Sequence, residues 1–343
     1  MKQLALIMIA RDEADTIARC LASARGVVDE MIVLDTGSTD ATMDIARAHG
    51  AQVHQFTWID DFAAARNAAL ELSSSSWNLV LDADEWLEGS RAELEAVLNG
   101  PPVIGLLPVS SEFDLAGRVE RSTSFIARLL PRDVRYAGRI HEQPQSALPR
   151  QRLSLAVGHD GYRQEALTRK HGRNEALLLR ALAEQPDDAY LSYQLGKNYE
   201  TAGDFAGAAP HYRQALAASG PDAAFRHDLV VRAIYTLKKA QLHQEAIALA
   251  DAEMPNWPES PDYYFALGDL LLDWAALNPT AADELLPMVE ASFQRCLAIG
   301  DQPQLDGSVR GRGSHLAAHN LAVLYEGLGN TARAEAYRQL AQA

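Results

Sequence analysis

The stretch Trp77-Asn-Leu-Val-Leu-Asp82-Ala83-Asp84-Glu85-Trp86 guides the interpretation of the whole chain. An apolar run of strand length, residues 79–81, is followed at once by the carboxylates Asp82, Asp84 and Glu85. Acidic side chains at the end of a buried strand are costly, so a cation is expected to offset them. In an extended segment Asp82 and Asp84 would point the same way and share a divalent cation with a substrate's phosphates. The alternative is a polar turn, where Asp is common.

Length and composition restrict the class of protein. With 343 residues, 48% of them hydrophobic, the chain can form two domains with proper cores. The formal net charge of -15 repels nucleic acid and anionic membrane surfaces, and no Lys/Arg run overrides it. A nucleic-acid partner is therefore not expected.

The cysteines and the N-terminus bear on the compartment. Cys20 and Cys296 are far apart and lack metal-ligand spacing, which favours packing roles in a reducing cytosol. The apolar residues 4–10 are too few to span a membrane and are followed directly by Arg11. We therefore predict a core strand rather than a signal peptide, and a cytoplasmic protein without a transmembrane segment.

Strand-like and helical patterns alternate through the first eighty residues. The predicted strands are residues 4–10, 30–34, 52–56 and 78–81, and the predicted helices are residues 15–25, 41–49 and 62–72. This alternation predicts right-handed crossovers and a mainly parallel, Rossmann-like sheet with helices on its faces. Ligands bind beyond the carboxyl ends of such strands.

Polar clusters follow three of these strands, at residues 11–13, 35–40 and 82–84. Asp12, Asp35 and Asp40 could simply cap the following helices, and this is the role predicted for Asp40. The absence of a Gly-x-Gly-x-x-Gly string argues against a dinucleotide-binding domain. Asp35 is suited to accept a hydrogen bond from a base or ribose.

The segment at residues 58–67 opens the next helix and places Arg66 one turn inside it. Arg66 could pair with Asp61 or Asp35 in a structural role, or it could reach a substrate phosphate.

Together these segments resemble the family 2 glycosyltransferases of GT-A type. The strings are Asp35-Thr36-Gly37-Ser38-Thr39-Asp40, Asp60-Asp61-Phe62-Ala63-Ala64-Ala65-Arg66-Asn67 and Leu81-Asp82-Ala83-Asp84-Glu85. Their order and spacing match bacterial members of that family, and the combination is far more specific than any single string. Asp12 departs from the pattern, since these relatives usually have Asn there.

The resemblance implies a donor site and assigns residues to it. The residues implied to bind the nucleotide sugar are Ala10, Arg11, Glu13, Asp35, Arg66, Asp82 and Ala83. Asp35 would hold the uracil or ribose, and Arg66 the base or pyrophosphate. Asp84 would bind Mn²⁺ or Mg²⁺ within the Asp-x-Asp site, and the donor would be a UDP sugar.

The region after Trp86 has the mixed pattern of an acceptor half, with predicted strands at residues 103–109 and 124–130. Two strings, Arg128-Leu129-Leu130 and Gly138-Arg139-Ile140-His141-Glu142-Gln143, match or resemble strings of the same relatives. By that resemblance Glu142 is the general base that takes the acceptor's proton in an inverting transfer. A Glu beside a His is otherwise more often an ordinary salt-bridged pair.

His159-Asp160-Gly161-Tyr162 matches the His-x-Gly-Tyr string that closes the catalytic domain in these relatives. An imidazole ligand from His159 would favour Mn²⁺ over Mg²⁺. The alternative for His159 is a hydrogen-bonded packing role.

From Arg173 onward Ala, Leu and Tyr recur at helical spacing, and residues 187–220 fit a tetratricopeptide repeat. The matching positions are Leu195, Gly196, Tyr199, Gly203, Ala208, Tyr212, Ala215 and Pro221. Looser helix pairs follow at residues 232–257, 261–299 and 314–340.

Stacked helix pairs form a concave surface, which predicts a groove for a protein or peptide. The alternative is a scaffold that stabilises the catalytic domain or a homodimer. The glycine-rich residues 302–313 predict a mobile polar loop.

These patterns predict a GT-A α/β domain at residues 1–165 and an all-α tetratricopeptide solenoid at residues 166–343. The implied function is inverting, metal-dependent transfer of a hexose from UDP-glucose or UDP-N-acetylglucosamine to a protein or peptide, as in bacteriocin S-glycosyltransferases. One alternative acceptor is the lipopolysaccharide core or another glycan, although no convincing membrane-facing stretch supports it. An alternative of another class is a non-catalytic repeat adaptor with a degenerate transferase domain.

Overall fold

The structure is a computed structural model that describes residues 3–115, 118–159 and 164–342. It forms two compact units, residues 1–119 with 123–184, and residues 120–122 with 185–343. The strands before the repeats are β1 (Leu4–Ala10), β2 (Glu30–Asp35), β3 (Gln52–Gln55), β4 (Trp77–Val80), β5 (Glu85–Glu88), β6 (Ile104–Leu115), β7 (Arg118–Pro131), β8 (Arg135–Ala137), β9 (Gln143–Gln145), β10 (Arg150–Arg152) and β11 (Ala156–His159). The helices of this part are α1 (Ile17–Ala24), α2 (Thr42–Ala48), α3 (Phe62–Glu71), α4 (Glu95–Leu98) and α5 (Gln164–Glu184), with a 3-10 turn at Arg91–Glu93.

The sheet of the first unit runs in the order β3-β2-β1-β4-β7-β6-β11-β5, with β10 also paired to β6. β1 pairs in parallel with β2 and β4, while β4 pairs with β7 and β11 pairs with β5 in antiparallel. β1 lies between β2 and β4. Its residues are all apolar because helices cover both faces of the sheet.

Two apolar clusters lie on opposite faces of β1. Leu4, Leu6 and Met8 belong to one cluster, and Ala5 and Ile7 belong to the other. This assignment follows from the alternation of side chains along a strand. The predicted alternation of strands and helices through residue 81 is therefore present, with element ends shifted by one or two residues.

The second unit is helical. Its helices are α6 (Ala189–Thr201), α7 (Phe205–Ala218), α8 (Arg226–Lys239), α9 (His243–Glu253), α10 (Pro261–Leu277), α11 (Ala282–Ile299), α12 (His315–Gly327) and α13 (Thr331–Gln342), with 3-10 turns at Met254–Asn256 and Pro279–Ala281 and a short strand β12 (Ser308–Val309). The helices stack in pairs, and Asp188, Asp204 and Ser260 cap α6, α7 and α10 by accepting backbone N–H bonds. The predicted architecture, a largely parallel α/β domain followed by helical repeats, is confirmed.

Three local predictions concern the domain boundary, the loop at residues 302–313 and the cysteines. Residue 165, the predicted domain boundary, lies just inside α5, a helix without proline that continues to the end of the first unit at Glu184. Residues 302–313, predicted to be mobile, are held by hydrogen bonds from Val309 and Arg312 to Asp262 and by one between His227 and the Asp306 carbonyl. Cys20 and Cys296 are both buried and unpaired, as expected of packing residues.

Within the described ranges, no helix is both long enough and apolar enough to cross a bilayer. Tyr162, where the closing string ends, lies outside the described residues.

Candidate functional site

The loops that follow β1 and β2 form one side of the candidate site at the carboxyl ends of the strands. Ala10 and Asp35, the last residues of the two strands, are register partners. The Oγ of Ser38 accepts from the Asp12 N–H at 2.9 Å, and the Asp12 Oδ1 accepts from the Thr39 N–H at 2.7 Å. Asp12 has φ +54°, a left-handed conformation that Asp and Asn tolerate better than other side chains. The loop is thus intact although Asp12 stands where relatives have Asn.

Asp40 ties this wall to α2. Its Oδ1 accepts from the Thr42 N–H at 2.9 Å, and its Oδ2 accepts from the Ala14 N–H at 3.1 Å. These bonds lower the pKa of Asp40 despite an opposing effect of burial. Asp40 is therefore structural, but the prediction that it caps α2 is wrong, because the N-cap residue is Ala41 and no side chain caps this helix.

Only one of the two carboxylate oxygens of Asp35 is hydrogen-bonded among the described residues. Its Oδ1 accepts from the N–H groups of Gly37 and Ser38, at 3.0 and 2.9 Å. Its Oδ2 is buried and has no hydrogen-bond partner among the described residues. A buried acceptor without a partner is unfavourable, so this oxygen is ready to receive a ligand's hydroxyl or N–H group.

A chain of alternating charges crosses the end of β4. Asp82 accepts from the Nη2 of Arg66 at 2.7 Å and from the Nη2 of Arg128 at 2.9 Å. Arg66 also donates to Glu142, and Arg128 to Glu85. Burial disfavours the charged form of Asp82, but the two guanidinium groups hold its pKa well below the usual range. Burial raises the pKa of Glu85 despite its contact with Arg128.

The expectation that Asp82 and Asp84 lie side by side on an extended strand is wrong. β4 ends at Val80, and residues 83–84 form a turn in which the Glu85 N–H donates to the Asp82 carbonyl at 3.1 Å. The turn sends the two carboxylates to different partners. Asp82 meets the arginines, whereas Asp84 meets His159.

His159 reaches Asp84 because β11 pairs with β5, placing His159 opposite Glu85. The Nε2 of His159 lies 3.5 Å from the Oδ2 of Asp84. Burial disfavours the imidazolium, but the Asp84 carboxylate overrides that effect and raises the pKa of His159.

The Asp84–His159 pair is compatible with a divalent cation. A cation about 2.1 Å from each of two ligand atoms holds those atoms about 3.0–3.5 Å apart. In the part of the chain that the structure describes, no group of three or more His, Cys, Asp or Glu side chains is arranged to hold a metal ion. A cation here would therefore take its other ligands from substrate phosphates and water, as Mg²⁺ commonly does.

Glu142 is presented by the turn between β8 and β9, in which Gly138 has φ +100° and His141 has φ +50°. Such a conformation at a non-glycine residue costs about 1–3 kcal/mol and is common at functional sites. The Glu142 side chain is 8% exposed and is hydrogen-bonded to Arg66. The carboxylate is therefore fixed beside Arg66 rather than free in solvent.

Hydrogen bonds join helix α3 to strand β8 and to the turn that follows it. The helix carries the string at residues 60–67, and the turn carries the string at residues 138–143. The Phe62 N–H donates to the Arg139 carbonyl at 2.8 Å. The Asn67 side chain bonds both backbone groups of Tyr136, at 2.9 and 2.8 Å. Arg66 and Glu142 meet because these contacts align the helix with the turn.

The remaining predicted residues line the same edge. Ala10 and Ala83 are buried, and Arg11 lies on the surface with its Nε 3.8 Å from Asp12. The Glu13 carboxylate accepts from the Thr16 hydroxyl at 2.9 Å. Arg128, which contacts Asp82 and Glu85, is marked in the sequence only by its place in the string Arg128-Leu129-Leu130.

The chain is similar to several known proteins. A model described as Glycosyl transferase family 2 matches residues 5–108. A TPR repeat-containing protein of Synechococcus elongatus is 37% identical over 246 residues, 67% of this chain and 60% of that protein. The SPbeta prophage-derived glycosyltransferase SunS of Bacillus subtilis is 27% identical over 201 residues, 55% of this chain and 47% of that protein. The chain thus spans 47–60% of the length of these two relatives.

Among solved structures, MamA covers 52% of this chain at 15% identity, with 93% of its own chain covered and a TM-score of 0.39. That overlap is too low for a comparison of sites.

Proposed function

Because the chain carries a family 2 glycosyltransferase domain joined to tetratricopeptide-like repeats, we propose that it transfers a hexose from a UDP sugar to a polypeptide with inversion. The donors that we expect are UDP-glucose and UDP-N-acetylglucosamine. One observation carries the proposal. Asp35 Oδ2 and Arg66 Nη1 are buried polar atoms without partners among the described residues, at the edge where Asp84 meets His159.

A nucleoside diphosphate sugar has the groups that these atoms lack. Its ribose or base offers a donor to the Asp35 Oδ2, and its pyrophosphate offers an acceptor to the Arg66 Nη1. Each buried polar atom left unpaired costs about 1–3 kcal/mol, so a ligand that pairs both recovers that free energy. A divalent cation held by Asp84 and His159 would neutralise charge on the departing diphosphate.

The transfer needs a base on the acceptor side, and Glu142 is the carboxylate in position. The acceptor's hydroxyl or thiol attacks the anomeric carbon, its proton passes to Glu142, and the bond from that carbon to the diphosphate breaks. The Glu142 carboxylate forms an ion pair with Arg66. We therefore expect the donor's pyrophosphate to draw Arg66 away and release Glu142 as the acceptor binds.

The repeats support a polypeptide acceptor, since stacked helix pairs typically provide binding surfaces for proteins or peptides. Nothing in the described residues favours a lipid-linked acceptor. A non-catalytic adaptor is distinguished from a transferase by measuring whether the chain turns over a UDP sugar.

The test measures UDP release from UDP-glucose and UDP-N-acetylglucosamine by the full chain with Mn²⁺, with Mg²⁺ and with a chelator. We expect cation-dependent release that falls at least ~10²-fold in Asp84→Asn, a loss typical of removing one electrostatic contact to developing charge. Asp133→Asn is the matched control because Asp133 is exposed and lies outside the site. If neither sugar is consumed with either cation by a folded chain, the adaptor alternative is favoured instead.

A further inference from the structure

Helix α5 brings an arginine to the candidate site from a part of the chain that none of the matched strings includes. The Arg173 guanidinium lies 5.3 Å from the centre of the Phe62 ring. Phe62 begins α3, and Arg66 lies four residues further along that helix. Residues four apart on a helix share a face and lie about 6 Å from each other. Arg173 is therefore on the side of α3 that carries Arg66.

The Phe62 ring is a fixed support for this guanidinium. The Phe62 N–H donates to the Arg139 carbonyl at 2.8 Å, and the ring meets the Trp58 ring edge-on, with centroids 4.8 Å apart. The Trp58 indole N–H donates in turn to Asp60 at 2.8 Å. Attraction to an aromatic face restricts a guanidinium without neutralising its charge. Arg173 is thus held in place as a cation.

Arg173 also lies near Arg11, which directly follows β1. Partial burial and then the Arg11 guanidinium lower the pKa of Arg173, and the Glu13 carboxylate acts in the opposite direction. Like charges repel, so two neighbouring guanidinium groups are unfavourable unless an anion is shared between them. Among the described residues, the Arg173 side chain donates hydrogen bonds to Asn174 only, at 3.3 and 3.4 Å. The pair therefore has capacity for an anion.

The position of the two arginines indicates which anion they bind. A chain with a formal net charge of -15 has no general excess of cations, yet Arg11 and Arg173 meet at the edge of the sheet that carries Asp35 and Arg66. Asp35 Oδ2 and Arg66 Nη1 are the buried atoms left without partners among the described residues. Guanidinium groups suit phosphate because several N–H donors of one fork can reach its oxygens at once.

We propose that Arg173, together with Arg11, binds the diphosphate of the nucleotide sugar, so that α5 completes the donor site. The identification of the anion with the donor's diphosphate rests on the proposed function. Cations from three separate elements then contact the phosphates: Arg66 from α3, Arg11 from the loop after β1, and Arg173 from α5. The donor site consequently extends beyond residues 5–108, the part that matches the family 2 model.

The test titrates UDP into the full chain by calorimetry, with Mn²⁺ and with Mg²⁺. We expect Arg173→Gln to bind UDP at least ~10-fold more weakly than the wild type, because a charge-assisted hydrogen bond to phosphate is lost. The affinity should also depend less on salt concentration, since one charge contact is missing. Arg180→Gln is the matched control because it removes the same charge from the same helix, at a side chain that is 55% exposed.

Uridine, which has no phosphate, should bind the wild type and Arg173→Gln equally. Arg173→Lys keeps the charge but loses the planar fork, so we expect UDP affinity to fall about threefold. Thermal unfolding checks that each variant is folded, and Arg173→Lys replaces Arg173→Gln in the comparison if the latter does not fold.

Two results would overturn the role of Arg173. One is wild-type UDP affinity in Arg173→Gln, or in Arg173→Lys where that variant stands in for it. The other is an equal loss of affinity for UDP and uridine, which would place the effect on the fold rather than on the phosphates. A wild-type chain that binds no UDP with either cation would refute the proposed function as well, so the two failures are distinguishable.

Discussion

At the scale of single residues, Arg66 links Asp82, which follows β4, to Glu142, which lies in the turn between β8 and β9. Its Nη2 lies 2.7 Å from Asp82, its Nε contacts Glu142, and its Nη1 has no partner among the described residues. A buried guanidinium is stable only when its neighbours are anionic and well oriented. Arg66 therefore joins Asp82 to Glu142, and its Nη1 is the group that we propose for the substrate.

Replacing Glu142 by Gln tests the general base. The amide oxygen can still accept from Arg66, so the fold should be kept, whereas the ability to take a proton is lost. We expect kcat for transfer to fall about 10²–10⁴-fold with little change in KM for the donor. Steady-state kinetics with Glu95→Gln as control check this, since Glu95 is exposed on α4. An unchanged kcat would remove Glu142 from the chemistry.

The contacts of the site residues are only partly predictable from the sequence. Asp35, Asp82 and Glu142 could be named from local strings. The partners of Asp82 could not, because Arg66 and Arg128 lie 16 and 46 positions away and meet it only after folding. The sequence offers Asp61 or Asp35 as a structural partner for Arg66, but among the described hydrogen bonds Arg66 pairs with Asp82 and Glu142 instead.

At the scale of elements, the antiparallel pairing of β5 with β11 positions the proposed metal ligands. Gly158 lies opposite Trp86, and His159 lies opposite Glu85. A Cβ atom at Gly158 would fall inside the Trp86 indole, so the two strands pair closely only because this residue is glycine. The short strand β5, not predicted from sequence, is thus required to place His159.

Gly158→Ala should disturb that pairing. We expect a loss of about 1–3 kcal/mol in the free energy of unfolding, as for overpacking elsewhere, together with reduced cation-dependent UDP release because His159 is the next residue. Thermal unfolding and UDP release are measured in parallel. Gly172→Ala, where nothing lies within 4 Å of the new Cβ, is the control. Wild-type values of both quantities in Gly158→Ala would contradict this account of β11.

At the scale of the whole molecule, each unit has its own core. The clusters containing Leu6 and Ile7 belong to the first unit, and those containing Tyr263 and Tyr212 belong to the second. Units with separate cores can carry substitutions independently when those substitutions are far apart.

Asp228→Asn tests the polar network of the second unit through its pH dependence. Burial disfavours the carboxylate, but Arg232 and Lys197 hold the pKa of Asp228 well below the unfolded value. A depressed folded pKa stabilises at pH above the unfolded pKa, about 3.9, and that stabilisation is lost as pH falls further. We expect Asp228→Asn to cost about 3 kcal/mol at pH 7 and less as pH falls below about 4.

Urea unfolding followed by circular dichroism at neutral and acidic pH measures this difference. Asp251→Asn, at an exposed position on α9, should be neutral at both. UDP release by the first unit should be unchanged in Asp228→Asn. A difference between wild type and Asp228→Asn that stays constant with pH would show that the carboxylate's charge is not what stabilises the unit.

The sequence by itself determined the two-part architecture and predicted the edge of the sheet for the site, while the resemblance to family 2 glycosyltransferases supplied the candidate donor and base residues. These depend on the period of apolar residues and on strings of a few neighbours, which act locally. Only the tertiary structure decided that a turn separates Asp82 from Asp84, that Arg66 contacts both Asp82 and Glu142, 16 and 76 positions away, and that residues 301–314 lie on the repeats. Pairings of buried charges and close approaches at glycine depend on which distant segments fold against each other, and no local pattern records that.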